Sequence, residues 1–108
     1  MENEDWKSIR VTGVSSIEKC VAEFDITQLD VPSGKFRIRI YENTNGKFMG
    51  FTNLRIKNAF DGYPEGGVGN GNSITEALQD TIQDFMKNLS EDRQLNDSDF
   101  VFVNYNEF

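Results

Sequence analysis

Six carboxylates in the second half of the chain, Asp80, Asp84, Glu91, Asp92, Asp97 and Asp99, are the residues whose type and spacing first suggest chemistry. Pairs such as Asp80 with Asp84, or Asp97 with Asp99, could do general acid–base work only in a cleft that drives their pKa values apart. The sequence forecasts no such cleft, because these residues fall where solvated faces are expected. Asp97-Ser98-Asp99 also lacks the further oxygen ligands and turn glycine of a calcium loop. The chain has no histidine, which removes Ser-His-Asp and Cys-His catalysis and every His-containing zinc site. Its one cysteine, Cys20, excludes internal disulfides and thiolate clusters. Alternation puts Cys20 on the core face of a strand, as a buried structural thiol. The expectation is a non-enzyme with no metal and no cofactor.

Binding chemistry remains. With 18 acidic and 11 basic residues in 108, the formal charge is −7. Such a field repels bare phosphate backbones and anionic membranes and attracts basic proteins, including those that handle nucleic acid. Carboxylates at helical spacing can imitate phosphates and fill a cationic channel, so the six acids above are the candidate partner-binding face. A second constellation is Arg37, Arg39, Tyr41, Phe51 and Arg55, a basic-aromatic patch of the kind that holds single-stranded nucleic acid by stacking and charge. Glu23 and Asp25 stand opposite Arg39 and Arg37 if the strands pair, and would neutralise them. Gly66-Gly67-Val68-Gly69-Asn70-Gly71-Asn72 leads into a helix N-terminus, where an anion could sit. Neither a Lys-Ser/Thr nor the G-x-G-x-x-G spacing completes a phosphate motif.

The elements that must position these groups follow from periodicity. Residues 19–26 alternate, with Cys20, Ala22, Phe24 and Ile26 on one face, and Phe36, Ile38 and Ile40 resume the pattern after the turn at Pro32-Ser33-Gly34. Asn45-Gly46 signals a type I′ hairpin into residues 47–57. A two-residue turn would place Met49 and Phe51 on the core face. A three-residue loop with a bulge would place Phe48, Leu54 and Ile56 there instead, and the sequence leaves both open. Residues 8–14, with Ile9 and Val11 alternating, predict a further strand pairing with 19–26. Residues 58–72 read as a long glycine-rich loop.

Ser73-Ile74-Thr75-Glu76 is a capping box opening a helix. Ile74, Ala77, Leu78, Thr81, Ile82, Phe85, Met86 and Leu89 form its buried stripe. Phe100-Val101-Phe102-Val103 predicts a short, well-buried last strand. The fold expected is a single α+β domain over residues 1–108, an antiparallel sheet of about five strands in β-β-β-β-α-β order with one helix on one face. Residues 1–6 and 104–108 are expected to fray.

Two stretches resemble known families. Arg10-Val11-Thr12-Gly13-Val14, the 22–26 strand, Phe36-Arg37-Ile38-Arg39-Ile40-Tyr41-Glu42 and Asn45-Gly46-Lys47-Phe48-Met49-Gly50-Phe51 together resemble the SpoVG-type regulators. That likeness implies a strand-rich sheet ahead of a helix and nucleic-acid binding through a basic helical region. Here residues 74–89 carry Lys87 as their base beside several acids. Gly71-Asn72-Ser73-Ile74-Thr75-Glu76-Ala77-Leu78 is similar to the start of the helix in HicB-type antitoxins.

The leading expectation is a small acidic antagonist of a basic, nucleic-acid-handling protein, of the anti-CRISPR, immunity or antitoxin type. A nucleic-acid-binding regulator using the sheet face, or a self-assembling structural protein, are the alternatives, and a homodimer is compatible with the sequence. The acidic start has no apolar run behind it, so no signal peptide is expected, and no stretch approaches the ~20 apolar residues of a membrane span. The compartment expected is the cytoplasm, of a bacterial host if the chain is phage-encoded.

Overall fold

Three strands of alternating apolar residues, a glycine-rich fourth and a short fifth form one antiparallel sheet, and an amphipathic helix covers one face of it. The computed structural model describes residues 5–90 and 93–108. Strands β1 (Lys19–Thr27), β2 (Lys35–Glu42), β3 (Phe48–Lys57) and β4 (Pro64–Gly71) lie in sequence order. Helix α1 (Ile74–Leu89) follows, and β5 (Phe100–Phe102) pairs with β3 beyond the point where β2 ends. Asn53 manages that exchange. Its side-chain oxygen accepts the Arg37 N–H at 2.8 Å, and its carbonyl accepts the Val103 N–H at 2.8 Å.

The β-β-β-β-α-β order holds, but with a different set of strands. Residues 9–18 form no strand; a 3₁₀ turn at Asp5–Ser8 leads into an irregular arm on which Ile9, Val11 and Val14 are exposed. The fourth strand is instead the glycine-rich segment expected to be a loop. The Asn45-Gly46 turn also differs from type I′. Only Gly46 has positive φ, Gly46 N–H donates to the Asn43 carbonyl and Asn43 N–H to the Lys47 carbonyl, giving a three-residue loop with a glycine bulge. That loop settles the register: Glu42 faces Phe48 and Ile40 faces Gly50, so Phe48, Leu54 and Ile56 take the core side.

A bulge at Val21 makes a further correction. It turns Cys20 to stand opposite Tyr41 on the outer face, and Cys20 is exposed rather than a buried thiol. Phe102 is 44 % exposed, so the last strand is only half-buried.

The core lies between sheet and helix, built from Val31, Phe36, Ile38, Ile40, Leu54, Ile56, Ala77 and Phe85. The Phe36 and Phe85 rings meet at 4.3 Å between centroids. Ser73 caps α1 by accepting the Glu76 N–H at 3.1 Å, while the Glu76 carboxylate reaches one residue further back than a capping box requires, to Asn72 N–H. No helix among the described residues is long and apolar enough to cross a membrane.

Candidate functional site

The position of the acidic helix face follows from β4. Gly67, Gly69 and Gly71 alternate, so all three point at α1. A Cβ on Gly69 would stand 2.3 Å from the Thr81 nitrogen, on Gly67 2.8 Å from the Phe85 Cβ, and on Gly71 2.5 Å from the Glu76 Cβ. Any side chain there would push the helix off the sheet. Gly50 on β3 extends the same seat, its imagined Cβ lying 2.2 Å from the Thr81 hydroxyl.

This close approach brings two periodicities into step. Two residues along a strand advance about 6.6 Å. Four residues along a helix advance about 6 Å. Every second residue of the strand therefore meets every fourth residue of the helix. On the outward edge of β4 the Val68 N–H donates to the Asp84 carboxylate at 3.0 Å, the Asn70 N–H to Asp80 at 2.9 Å, and the Asn72 N–H to Glu76 at 2.8 Å. A strand edge would otherwise present these donors to water or to another strand. Here the helix closes the edge with a row of three carboxylates. Each uses one oxygen, and among the described residues the second oxygen has no hydrogen-bond partner.

Thr52 completes the seat. The β3–β4 ladder is interrupted between Phe51 and Arg55, and the buried Thr52 hydroxyl bridges the gap. It donates to the Leu54 carbonyl at 2.7 Å and accepts the Gly67 N–H at 2.8 Å.

The six candidate acids do not form one face. Asp80 and Asp84 stand on the β4 edge, joined by Glu76, which the sequence marked only as a capping residue. Asp97 and Asp99 lie before β5, which pairs on the opposite side of β3 from β4. Asp99 closes a local turn by accepting the Asn96 N–H at 2.9 Å, and Asp97 is exposed. Glu91 and Asp92 lie outside the described residues. Among the described residues no group of acids, Cys or His is arranged to hold a metal ion.

The basic-aromatic constellation gathers on the opposite face of the sheet. Asp25 pairs with Arg37 at 3.0 Å and Glu23 with Arg39 at 2.7 Å, in the antiparallel register the alternation implied. Tyr41 and Phe51 meet edge to face at 6.0 Å, and Arg55 lies along β3 beyond them. Residues 104–108, expected to fray, are instead folded over this face, with a 3₁₀ turn at Tyr105–Glu107 seated on Arg39. Burial opposes the Arg39 charge, but its hydrogen bond to the Glu23 carboxylate outweighs that cost and raises its pKa above the ordinary guanidinium value. The exposed Arg37 is raised too, by its hydrogen bond to Asp25. The patch is thus neutralised at two arginines and roofed at its centre.

Comparison with protein-family models, curated proteins and solved structures gives no match to this chain.

Proposed function

We propose that the protein is a small acidic binding module that antagonises a basic, nucleic-acid-handling protein by occupying its cationic surface. The observation that carries this reading is the row Glu76, Asp80 and Asp84. Backbone donors of β4 hold one oxygen of each carboxylate, so three charges stand at regular spacing on a rigid edge without ordering three flexible side chains at the moment of binding. A cationic channel that accepts a phosphate backbone meets in this row evenly spaced anions with free oxygen lone pairs. The formal charge of −7 adds long-range attraction to such a partner. The sheet's opposite face favours this reading over a nucleic-acid regulator, since Arg37 and Arg39 carry their own counter-charges and Arg39 is covered.

The experiment is a charge-neutral replacement that keeps the edge closed. Asp80→Asn and Asp84→Asn retain a side-chain oxygen to accept the β4 N–H groups while removing charge. The protein and this double variant are immobilised and loaded with bacterial lysate, and bound proteins are eluted by salt. A basic nucleic-acid enzyme held by the protein, lost from the variant and inhibited by the protein in its own assay is the expected result. Equal retention on both columns contradicts the reading.

A further inference from the structure

Arg39 has an environment unlike that of a residue that merely holds a sheet together. It is 7 % exposed, in the middle of β2. Its guanidinium lies 3.8 Å from the centroid of the Tyr105 ring and 4.3 Å from that of Phe108. Nε donates to Glu23, while Nη1 donates to the main-chain oxygens of Tyr105 at 2.7 Å and Phe108 at 3.0 Å. The Tyr41 hydroxyl donates to the same Phe108 oxygen at 2.6 Å. Nη2 is buried and has no hydrogen-bond partner among the described residues.

These contacts divide into two sets. The sheet supplies a planar cation, a fork of donors and a phenol hydroxyl. The segment 104–108 supplies two rings and two main-chain oxygens. The rings stack on a charged group rather than joining the buried apolar cluster, and Tyr105 is 62 % exposed. This is how a surface holds a short peptide. We propose that the outer face of β2 and β3 is a binding site for a short peptide segment that folds into a single 3₁₀ turn and bears two aromatic side chains three residues apart, which residues 104–108 occupy in cis.

The cis ligand does not use the whole site. Beneath it, the buried Nη2 keeps a donor that the segment 104–108 leaves unpaired. A cavity of about 140 Å³ continues past Phe108, lined by Phe51, Arg55 and Val68, with room for further residues of a longer segment. Net charge selects a peptide over a nucleic acid here. Glu23 and Asp25 already balance Arg39 and Arg37, so a phosphate backbone gains little, whereas peptide carbonyls need directed donors. The inference is independent of the acidic edge, which lies along β4.

The probe is a synthetic peptide of residues 103–108, titrated into the full chain and into the double variant Tyr105→Ala/Phe108→Ala by fluorescence anisotropy. A tethered segment competes at millimolar effective concentration, so binding to the double variant at least about tenfold tighter than to the wild type is expected. Adding Arg39→Lys to that variant should abolish it, because an ammonium offers neither the fork nor the flat face. Equal binding by the two proteins, no binding to a double variant with native far-UV dichroism, or indifference to Arg39→Lys overturns the proposal. Uptake of oligothymidylate in place of the peptide overturns it as well. In the unmodified chain, excess peptide should shift the Tyr41 and Arg39 side-chain NMR signals and release Tyr105; silence there contradicts the site even if the double variant fails to fold.

Discussion

The Asp80 carboxylate accepts the backbone N–H of Asn70 at 2.9 Å, joining the exposed face of the helix to the open edge of the last long strand. This contact ties two roles to one residue. Asp80 closes a strand edge, and in the proposed function it also holds a charge in a fixed place for a partner. The two can be separated, because Asn keeps the acceptor and loses the charge. Asp80→Ala should cost about 0.5–1.5 kcal/mol, the net value of one such hydrogen bond, and Asp80→Asn less. Urea midpoints of the two variants check this.

Gly69→Ala tests the helix seat. Its Cβ would stand 2.3 Å from the Thr81 nitrogen, a backbone atom that cannot swing away. The expected loss reaches or exceeds the upper end of the ~1–3 kcal/mol typical of overpacking. Val68→Ala, one residue away on the outer face, should change the denaturation midpoint far less.

Thr52→Val removes the hydroxyl that bridges the interrupted ladder and leaves the buried Gly67 N–H without an acceptor. A loss of about 1–3 kcal/mol is expected. Thr52→Ser should recover most of it, since the oxygen is restored and only a methyl is lost; thermal unfolding of both variants separates the two contributions.

Arg39→Lys should free the segment 104–108 while the core stays folded. A lysine offers one ammonium centre in place of the planar fork that reaches Glu23 through one nitrogen and the two main-chain oxygens through another, and it has no flat face for the rings. Hydrogen exchange should show faster amides at 105–108 and unchanged protection at Ile38 and Leu54.

Cys20 should react with a thiol reagent in the native protein at a rate close to that in denaturant, because the bulge at Val21 turns it outward. A slow, unfolding-limited reaction would restore the buried thiol that simple alternation implies.

Much of this architecture is legible in the sequence where side chains carry it. Ala22, Phe24 and Ile26 against Ile40, Ile38 and Phe36 announce a strand pair, and the ion pairs at Arg37 and Arg39 follow from the same register. The helix, its cap and its buried stripe are equally readable from period and capping chemistry. What alternation cannot reveal is an inserted residue, so the bulge at Val21 misplaces Cys20. β4 escapes a hydrophobicity pattern because its inward residues are glycines. The signal was the spacing of Gly67, Gly69 and Gly71, a period of two matched by Ala77, Thr81 and Phe85 at a period of four. Read together, these would have brought Glu76, Asp80 and Asp84 to the strand edge. The roof over Arg39 has no local signal, since Tyr105 and Phe108 are more than sixty residues away from it in the chain.

The proposed function requires that charge on the β4 edge, and not the fold alone, binds a cationic partner. The most direct measurement compares salt-gradient elution of lysate proteins from the immobilised protein and from its Asp80→Asn/Asp84→Asn variant, each confirmed folded. The expected result is a basic nucleic-acid-handling protein that the wild type retains and the variant releases at markedly lower salt. The same protein eluting at the same salt from both columns would contradict it.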